Sequence, residues 1–283
     1  CLKSGNATIL RGGREAIHSN TALARIVQDS ERSAGLPENA IQLIPFTDRA
    51  AVPALCKCDE EVNLIIPRGG RGLIEAIISC SRVPVIKHLD GICHIYVAES
   101  ADPETARNII VNAKAQRPGV CNAAETLLID KGAISQLPEI AKSLASAGVE
   151  LRVDAAAKLA IGDVAPTIDA VEQDWHTEYL DLIVSIRVVD GVDAAIDHIN
   201  HYGSGHSDAI LSEIEPDAKR FLAAVDSSTV YWNASTRFTD GDMFGFGAEI
   251  GISTDKLHAR GPMALPELTT YKYQVLGQNQ VRN

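Results

Sequence analysis

A cysteine on a short loop is the residue in this sequence whose surroundings best suit nucleophilic chemistry. Pro118 and Gly119 stop a predicted helix, and Cys121 follows in the short connection before an apolar run that predicts a buried strand. A loop between rigid elements presents a reactive group while the scaffold holds it in place. Arg117 is close in sequence, and a nearby cation favours the thiolate over the thiol. The alternative is that Cys121 is a small core residue, as most free cysteines are.

The other cysteines and the histidines predict no further site. Cys56 and Cys58 have C-x-C spacing without a second pair, so a zinc site is not expected. Cys80 and Cys93 lie within apolar stretches and are predicted to pack in the core. The histidines are scattered and form no HxxxH or HExxH pair, so the sequence predicts no metal.

A glycine turn near the start of the chain carries two basic residues. Arg11 and Arg14 flank two glycines between a predicted strand and the start of a predicted helix. Cations at a helix N-terminus oppose the helix dipole, which favours a bound anion such as the ribose phosphate of NADP. The alternative is a solvated helix start.

A second turn of the same kind contains three glycines, Gly69, Gly70 and Gly72. Such a turn lets backbone N–H groups approach a phosphate. The dinucleotide fingerprint is incomplete because Glu75 occupies the third glycine position. Arg68 and Arg71 favour a phosphate cradle, but a tight structural turn fits this sequence equally well.

The segment from Asn233 to Pro262 is rich in glycine and polar residues, which predicts a long functional loop. Arg237, with the hydroxyls of Ser235 and Thr236, could bind a carboxylate. The alternative is a solvated surface loop.

Composition excludes several protein classes. The chain has 283 residues, of which 46% are hydrophobic and 22% charged, with 26 basic and 37 acidic residues for a net charge of −11. This balance is globular, and without a basic stripe a nucleic-acid partner is not expected. No apolar run approaches the ~18 residues of a membrane span, and no secretory signal is visible. The six cysteines fit reduced thiols, so we expect a cytoplasmic protein.

Predicted strands and helices alternate along the chain, which indicates an α/β protein with parallel strands and right-handed crossovers. In the first part the predicted elements are strands at 7–10, 41–44, 63–67 and 83–86 and helices at 14–34, 48–55 and 72–81. The pattern restarts near Asp90 with strands at 92–97, 125–129, 182–188, 207–211 and 229–233 and helices from Asp102 to about 117, at 140–147, 192–200 and 218–224. The tail alternates like a strand at Tyr271–Val275, which predicts an edge or intersubunit role.

Taken together, these segments resemble the aldehyde dehydrogenase superfamily and, within it, the glutamate-5-semialdehyde dehydrogenases of proline biosynthesis. The resemblance spans residues 1 to about 275. It is carried by LKSGNATILRGGREA, LIIPRGGRGLIEAI, VPVIKHLDGICHIYV, NAKAQRPGVCNAAETLL, HINHYGSGHSDAI, VDSSTVYWNASTRF and FGFGAEIGISTDKLHARGPMALPELTTYKY.

The resemblance implies an aldehyde dehydrogenase-like fold. Its parts would be an incomplete Rossmann-type cofactor domain over residues 1–89, an α/β catalytic domain over 90–266 and a tail strand at 267–283 with a role in oligomerisation. The expected activity is NADPH-dependent reduction of L-glutamyl 5-phosphate through a cysteine thioester. The partners implied are a small-molecule substrate, a second copy of the chain and, functionally, glutamate 5-kinase.

The resemblance also assigns residues to roles. Cys121 matches the catalytic cysteine, and Glu178 matches the glutamate that holds the nicotinamide ribose. Arg11, with Arg14, falls where a basic residue faces the adenosine ribose, and the turn at Gly69 to Gly72 falls on the pyrophosphate side. Around an anionic substrate we expect the cations and polar groups of Arg117, Asn122, Ser235, Thr236, Arg237 and Arg260.

Two departures from the superfamily pattern qualify these expectations. The Glu-Leu-Gly-Gly motif, whose Glu activates water, is matched by His88-Leu89-Asp90-Gly91, so that base is absent. This argues against the first alternative, an ordinary NAD(P)-dependent aldehyde dehydrogenase. The chain also opens with Cys1 in mid-pattern, so we expect the family's N-terminal segment, with its oxyanion-hole asparagine, to be missing. A truncated, non-catalytic fragment is therefore the second alternative.

Overall fold

The computed structural model describes residues 1–282. The helices are α1 (Ile17–Ser33), α2 (Ala51–Leu55), α3 (Arg71–Cys80), α4 (Pro103–Ala115), α5 (Leu137–Ser146), α6 (Ala155–Ile161), α7 (Gly191–Tyr202) and α8 (Glu215–Ala224). The strands are β1 (Thr8–Leu10), β2 (Ile41–Leu43), β3 (Cys93–Val97), β4 (Ala124–Asp130), β5 (Glu150–Val153), β6 (Thr167–Asp169), β7 (Ile183–Val189), β8 (Ser207–Leu211), β9 (Thr229–Trp232), β10 (Gly251–Ser253) and β11 (Gly261–Met263).

A seven-stranded sheet forms the centre of the molecule. Its order is β6-β5-β7-β4-β3-β8-β9, and every neighbouring pair is parallel. The central strands β3, β4 and β8 are buried at every residue, as expected for apolar runs covered on both faces. The predicted α/β class with a parallel sheet is confirmed.

Helices cover both faces of this sheet, and the two faces have separate cores. Alternate strand residues point to opposite faces, so Leu127 of β4 packs with α4 to α6 while Leu128 packs with α7 and α8. The start of α4 follows the sequence signal, because the Asp102 carboxylate accepts the Thr105 N–H at 2.8 Å and Pro103 opens the helix.

The first part of the chain forms less sheet than predicted. β1 and β2 pair in parallel, with Ile9 opposite Gln42. The predicted strands at 63–67 and 83–86 are wrong, since they meet only in one bridge between Ile65 and Val85. Pro67 and Pro84 lack the N–H groups that would extend a ladder there. Similarly, α2 begins at Ala51 instead of 48, after a turn in which Asp48 accepts the Ala50 N–H.

Other elements were missed or misassigned. β5, α6 and β6 extend the large sheet to one edge, and β10 and β11 form an antiparallel pair inside the predicted long loop. The segment Tyr271–Val275 is exposed and forms no strand within the described chain. Its edge or intersubunit role, like that of the tail at 267–283, stays a prediction. The division into domains at residues 89 and 266 stays a prediction.

Of the helices in residues 1–282, none has the length and apolar character needed to cross a bilayer.

Candidate active site

Cys121 lies in the loop 116–123, between the end of α4 and the start of β4. A turn in which the Ala123 N–H donates to Val120 O at 3.0 Å shapes this loop. Gly91 packs directly on it, since a Cβ at position 91 would lie 2.1 Å from the Cys121 carbonyl oxygen. Only glycine therefore fits at position 91, and the predicted nucleophile lies against the segment that replaces the superfamily's Glu-Leu-Gly-Gly motif.

A second thiol, that of Cys93, forms a hydrogen bond to the backbone of the Cys121 loop. Cys93, the first residue of β3, is fully buried, and its Sγ donates to the Cys121 carbonyl oxygen at 3.2 Å. The Nδ1 atom of His206 lies 3.7 Å from the same sulfur. The sequence predicted Cys93 as core packing; its burial is confirmed, but its contact with the loop has no sequence signal.

The electrostatic environment keeps Cys121 protonated at rest. Burial raises the pKa of the Cys121 thiol to about 11, and the charges of Glu178 and Glu249 act in the same direction. The thiol's own backbone N–H and the Arg68 guanidinium lower this pKa. The Arg237 guanidinium and the Cys121 sulfur also interact electrostatically, and the expectation that Arg117 favours the thiolate stays a prediction. A thiolate at Cys121 therefore forms only when the thiol loses this proton.

Glu178 connects the nucleophile to the glycine turn before α3. Its Oε1 accepts the Gly91 N–H at 2.9 Å. Burial raises the pKa of Glu178, while the hydrogen bond from Gly91 lowers it. The neighbouring Asp90 accepts from Arg71 of α3 at 2.5 Å. A continuous series of contacts thus runs from the turn at 69–72 to Cys121.

We expect Glu178→Gln to lower the pKa of Cys121 from about 11, because the negative charge that disfavours the thiolate is removed. Gln keeps an oxygen that can accept the Gly91 N–H. Well below its pKa, the thiolate fraction rises about tenfold for each pKa unit lost, so alkylation by iodoacetamide at pH 8 should accelerate. The measurement is the pH profile of Cys121 alkylation, followed by mass spectrometry. Glu139→Gln, on an exposed face of α5, is the control; a profile identical to wild type in Glu178→Gln would contradict the assignment.

Arg237 is held beside the Cys121 loop by side chains of that loop. Its Nε donates to Gln116 Oε1 at 2.9 Å, and its Nη1 donates to Asn122 Oδ1. Burial lowers the pKa of Arg237, and the nearby charge of Arg117 lowers it further. The loop therefore brings two arginines together with Cys121.

Hydrogen bonds of Thr236 and Asn122 connect the Cys121 loop to the segment that carries Arg237. Thr236 Oγ1 donates to the Asn122 carbonyl oxygen at 2.7 Å, and Asn122 Nδ2 donates to Thr239 O at 2.8 Å. The buried hydroxyl of Ser235 accepts the Arg237 N–H at 3.3 Å. These side chains hold Arg237 and the loop, so their described contacts are those of positioning groups; that they bind substrate stays a prediction.

Arg260 forms its hydrogen bonds with Asp226, away from the Cys121 loop. Its Nη2 donates to the carbonyl and carboxylate oxygens of Asp226 at 3.0 and 2.9 Å. The same carboxylate pairs with Lys256. The structure does not bring Arg260 to the Cys121 loop through any of its described contacts, and its role with substrate stays a prediction.

The predicted cofactor residues have features that fit an anionic dinucleotide. The Nε of Arg11 is buried and has no hydrogen-bond partner among the described residues. Arg14 is exposed at the same turn. At the glycine turn before α3, a Cβ added to Gly70 or Gly72 would have no atom within 4 Å, so the space beside these glycines is open. A Cβ added to Gly69 would lie 2.7 Å from the Leu73 side chain. No side chain in the described chain caps the N-terminus of α3, which leaves its N–H groups available to a phosphate.

Sequence reasoning missed the position of Arg68. It was considered only as a phosphate ligand, yet its Nη1 lies 3.0 Å from where a Cβ of Gly251 would be, and its charge reaches Cys121, His88 and Glu249. Glu249, likewise unassigned from sequence, accepts the Gly241 N–H at 3.0 Å. Neither residue has a local motif that could reveal this. Within residues 1–282 no cluster of three or more His, Cys, Asp or Glu side chains could hold a metal.

Comparison with known proteins identifies relatives of this chain. The model of the aldehyde dehydrogenase family matches residues 1–184. Gamma-glutamyl phosphate reductase from Thermotoga maritima is 48% identical, with a TM-score of 0.96, and the match covers all of this chain and 68% of that one. The enzyme of the same name from Saccharomyces cerevisiae is 36% identical over 86% of this chain and 61% of that one, with a TM-score of 0.45.

A more distant structure has the same fold. The acetylating aldehyde dehydrogenase from Geobacillus thermoglucosidasius is 19% identical, with a TM-score of 0.73, covering all of this chain and 71% of that one. The family-model match and the identity to the Thermotoga protein together settle the family. The chain belongs to the aldehyde dehydrogenase family and, within it, to the gamma-glutamyl phosphate reductases.

Proposed function

We propose that this chain carries the active site for NADPH-dependent reduction of L-glutamyl 5-phosphate to L-glutamate 5-semialdehyde and phosphate, the second step of proline biosynthesis from glutamate. The coarser part of this proposal, an oxidoreductase with a nicotinamide cofactor, is supported by the family. The substrate, the thioester route and the preference for NADPH are argued below from the residues.

The observation that carries the substrate class is the pair Arg117 and Arg237 beside Cys121. The two guanidiniums are close enough for the charge of one to lower the pKa of the other. Neither forms an ion pair with a carboxylate anywhere in residues 1–282. The charge of Asp240 acts on Arg237 in the opposite sense to that of Arg117, but within residues 1–282 it forms no ion pair with it. Two like charges beside a candidate nucleophile favour an anionic ligand, and an acyl phosphate with its α-carboxylate supplies such charges.

Cys121 provides the covalent step. The Cys121 thiol first loses its proton to solvent, and the thiolate attacks the acyl carbon. The C–O bond to phosphate then breaks, and inorganic phosphate leaves with the bonding electron pair. A thioester on Cys121 results, so one difficult displacement is divided into two easier steps. The backbone N–H of Cys121 lies beside the reacting sulfur, where it can stabilise the developing oxyanion.

The residue at the position of the superfamily's hydrolytic glutamate argues against water as the second nucleophile. His88 stands there, and its Nδ1 lies 3.0 Å from the Ile252 carbonyl oxygen, which assigns the Nδ1 proton to that bond. Burial lowers the pKa of His88, so the ring is neutral near pH 7. A thioester that is not hydrolysed stays available for reduction.

The cofactor would be held by three groups of residues: Arg11 and Arg14 at the 2′-phosphate, the turn with Gly69, Gly70 and Gly72 at the pyrophosphate, and Glu178 at the nicotinamide ribose. When bound, NADPH would supply the hydride that reduces the thioester. The thiohemiacetal then left on Cys121 breaks its C–S bond, which releases the semialdehyde and returns the cysteine sulfur. Glu178 orients its own carboxylate through the Gly91 N–H, and Gly91 in turn contacts the Cys121 backbone. The same contacts thus fix the distance between the cofactor residues and the nucleophile.

We expect Arg11→Ala to raise the KM for NADPH at least about tenfold while changing the KM for NADH less than about twofold. A hydrogen bond to a charged group contributes about 1.5–3 kcal/mol, and only NADPH carries the 2′-phosphate. Steady-state kinetics with both cofactors measure the ratio. Arg25→Ala, on the following helix, is the control. Equal effects on the two cofactors would remove the 2′-phosphate role.

The test of the proposed reaction is the reverse assay. Oxidation of glutamate 5-semialdehyde with NADP+ is measured with and without inorganic phosphate. We expect turnover only with phosphate, because phosphate is the acceptor that releases the acyl group from Cys121. Phosphate-independent formation of glutamate would instead indicate an ordinary hydrolysing aldehyde dehydrogenase and would reject the proposal.

A further inference from the structure

A buried ion pair joins α4 to β4. Lys114 Nζ donates to Glu125 Oε2 at 2.6 Å, and both side chains are 0% exposed. Removing two charges from water is costly, and apolar residues of similar volume often serve as well or better for stability. The pair therefore calls for an explanation other than stability.

The positions of Lys114 and Glu125 in the chain suggest a functional explanation for the ion pair. Lys114 lies in the last turn of α4 and Glu125 near the start of β4, so the ion pair joins the two ends of the loop 116–123 that carries Cys121. A loop whose ends are fixed has fewer arrangements of its middle, and Cys121 lies in that middle. The pair thus limits how far the nucleophile can move from the sheet.

The same carboxylate reaches a second functional segment. Glu125 Oε1 accepts the Leu180 N–H in a long hydrogen bond of 3.4 Å. Leu180 is two residues after Glu178, and a Cβ added to Gly119 of the Cys121 loop would have Leu180 O as its nearest neighbour, at 3.6 Å. One carboxylate consequently contacts the segment of Glu178 and, through Lys114, both ends of the Cys121 loop.

The charge of Lys114 acts on both carboxylates near it, those of Glu125 and Glu178. Burial raises the pKa of Glu125 to about 7, and the Lys114 ammonium opposes that shift. Lys114 also acts to lower the pKa of Glu178. The buried ammonium therefore favours the ionised form of both carboxylates that lie on this side of the site.

We propose that Lys114 and Glu125 are positioning residues that hold the Cys121 loop in register with the Glu178 segment. Both side chains are fully buried, so the pair acts through the backbone of the two segments. The inference rests on the proposed function only in naming which groups need to be aligned.

The decisive variant is the double substitution Lys114→Met with Glu125→Leu. It removes one positive and one negative charge together, so the net charge is unchanged, and it replaces the pair by apolar side chains that can pack in its place. Glu125→Gln is the companion variant: it keeps hydrogen-bonding atoms but leaves the buried Lys114 charge without its partner. Lys131→Met is the matched control, since Lys131 and Asp190 form an ion pair of the same 2.6 Å length with side chains 61% and 78% exposed.

Two readouts are measured on each folded variant: the pH profile of Cys121 alkylation, and kcat with KM. We expect the double variant to shift the alkylation profile and to lower kcat about tenfold with the KM for acyl phosphate changed less than about twofold. This is below the ~10²-fold that a 1 Å misplacement can cost. Glu125→Gln, which leaves the Lys114 charge unpaired, should shift the profile at least as far as the double variant, and Lys131→Met should match wild type.

An alkylation profile identical to wild type in the double variant would overturn the inference, whatever kcat does, because the pair would then have only a structural role. Alkylation requires no substrate. If the phosphate-dependent assay failed in the wild-type protein, the proposed reaction would be rejected while the alkylation comparison would still decide the role of the ion pair.

Discussion

The variant Cys121→Ser should lose reductase turnover on the order of 10⁴-fold or more, the range in which loss of a covalent nucleophile falls. Serine is a poor nucleophile unless a paired base activates it, whereas cysteine is intrinsically reactive. The exchange of sulfur for oxygen at this half-buried position leaves the loop contacts of the backbone in place, including the bond from Cys93 to the Cys121 carbonyl. Initial rates in the phosphate-dependent assay, with the melting temperature as a check of folding, measure the effect.

Cys80→Ser is the matched control for this prediction, because Cys80 ends α3 and makes no described contact with the Cys121 loop. It should retain wild-type turnover. Substrate should also protect Cys121, and not Cys80 or Cys93, from alkylation. A Cys121→Ser protein that keeps more than about a hundredth of the activity would show that another group forms the acyl intermediate.

The second large effect is expected for Arg237→Gln, with kcat/KM for the acyl phosphate reduced about 10–100-fold. The change removes a charged donor next to the nucleophile, and a hydrogen bond to a charged group contributes about 1.5–3 kcal/mol. Arg237→Lys should recover part of the loss, since it keeps the charge but not the planar fork bound by Gln116 and Asn122.

Arg220→Gln controls for the loss of an arginine as such, because Arg220 pairs with Asp193 on the exposed surface. It should leave kcat/KM unchanged. Steady-state kinetics over a range of acyl phosphate, or of semialdehyde in the reverse direction, provide the comparison. Equal activity of Arg237→Gln and wild type would move the anion site away from the Arg117–Arg237 pair.

The sequence predicted the elements with strong local signals. Buried apolar runs identified β3, β4 and β8, and Asp102 with Pro103 marked the start of α4. The failures have local physical causes. Prolines at 67 and 84 interrupt two segments whose apolar character resembles a strand, and β5 has only four residues, too few to establish a period.

The site itself was predictable only in part. The position of Cys121 on a loop between helix and strand could be deduced from Pro118, Gly119 and the apolar run that follows. The protonation state of Cys121 could not be predicted. It depends on burial in the fold and on the charges of Glu178 and Glu249, which lie more than 50 residues away in the sequence. The role of Arg68 and the pairing of Lys114 with Glu125 depend equally on tertiary contacts.

Parallel α/β sheets usually bind their ligands beyond the carboxyl ends of the strands. Here Cys121, Cys93 and Glu178 all lie at or before the start of a strand, so these residues of the candidate site collect at the amino ends. At the other end of β4, Asp130 is occupied by bonds from the Tyr96 hydroxyl and the Gly132 and Gly191 N–H groups. Inhibitor searches should therefore be directed to the rim formed by the amino ends of these strands.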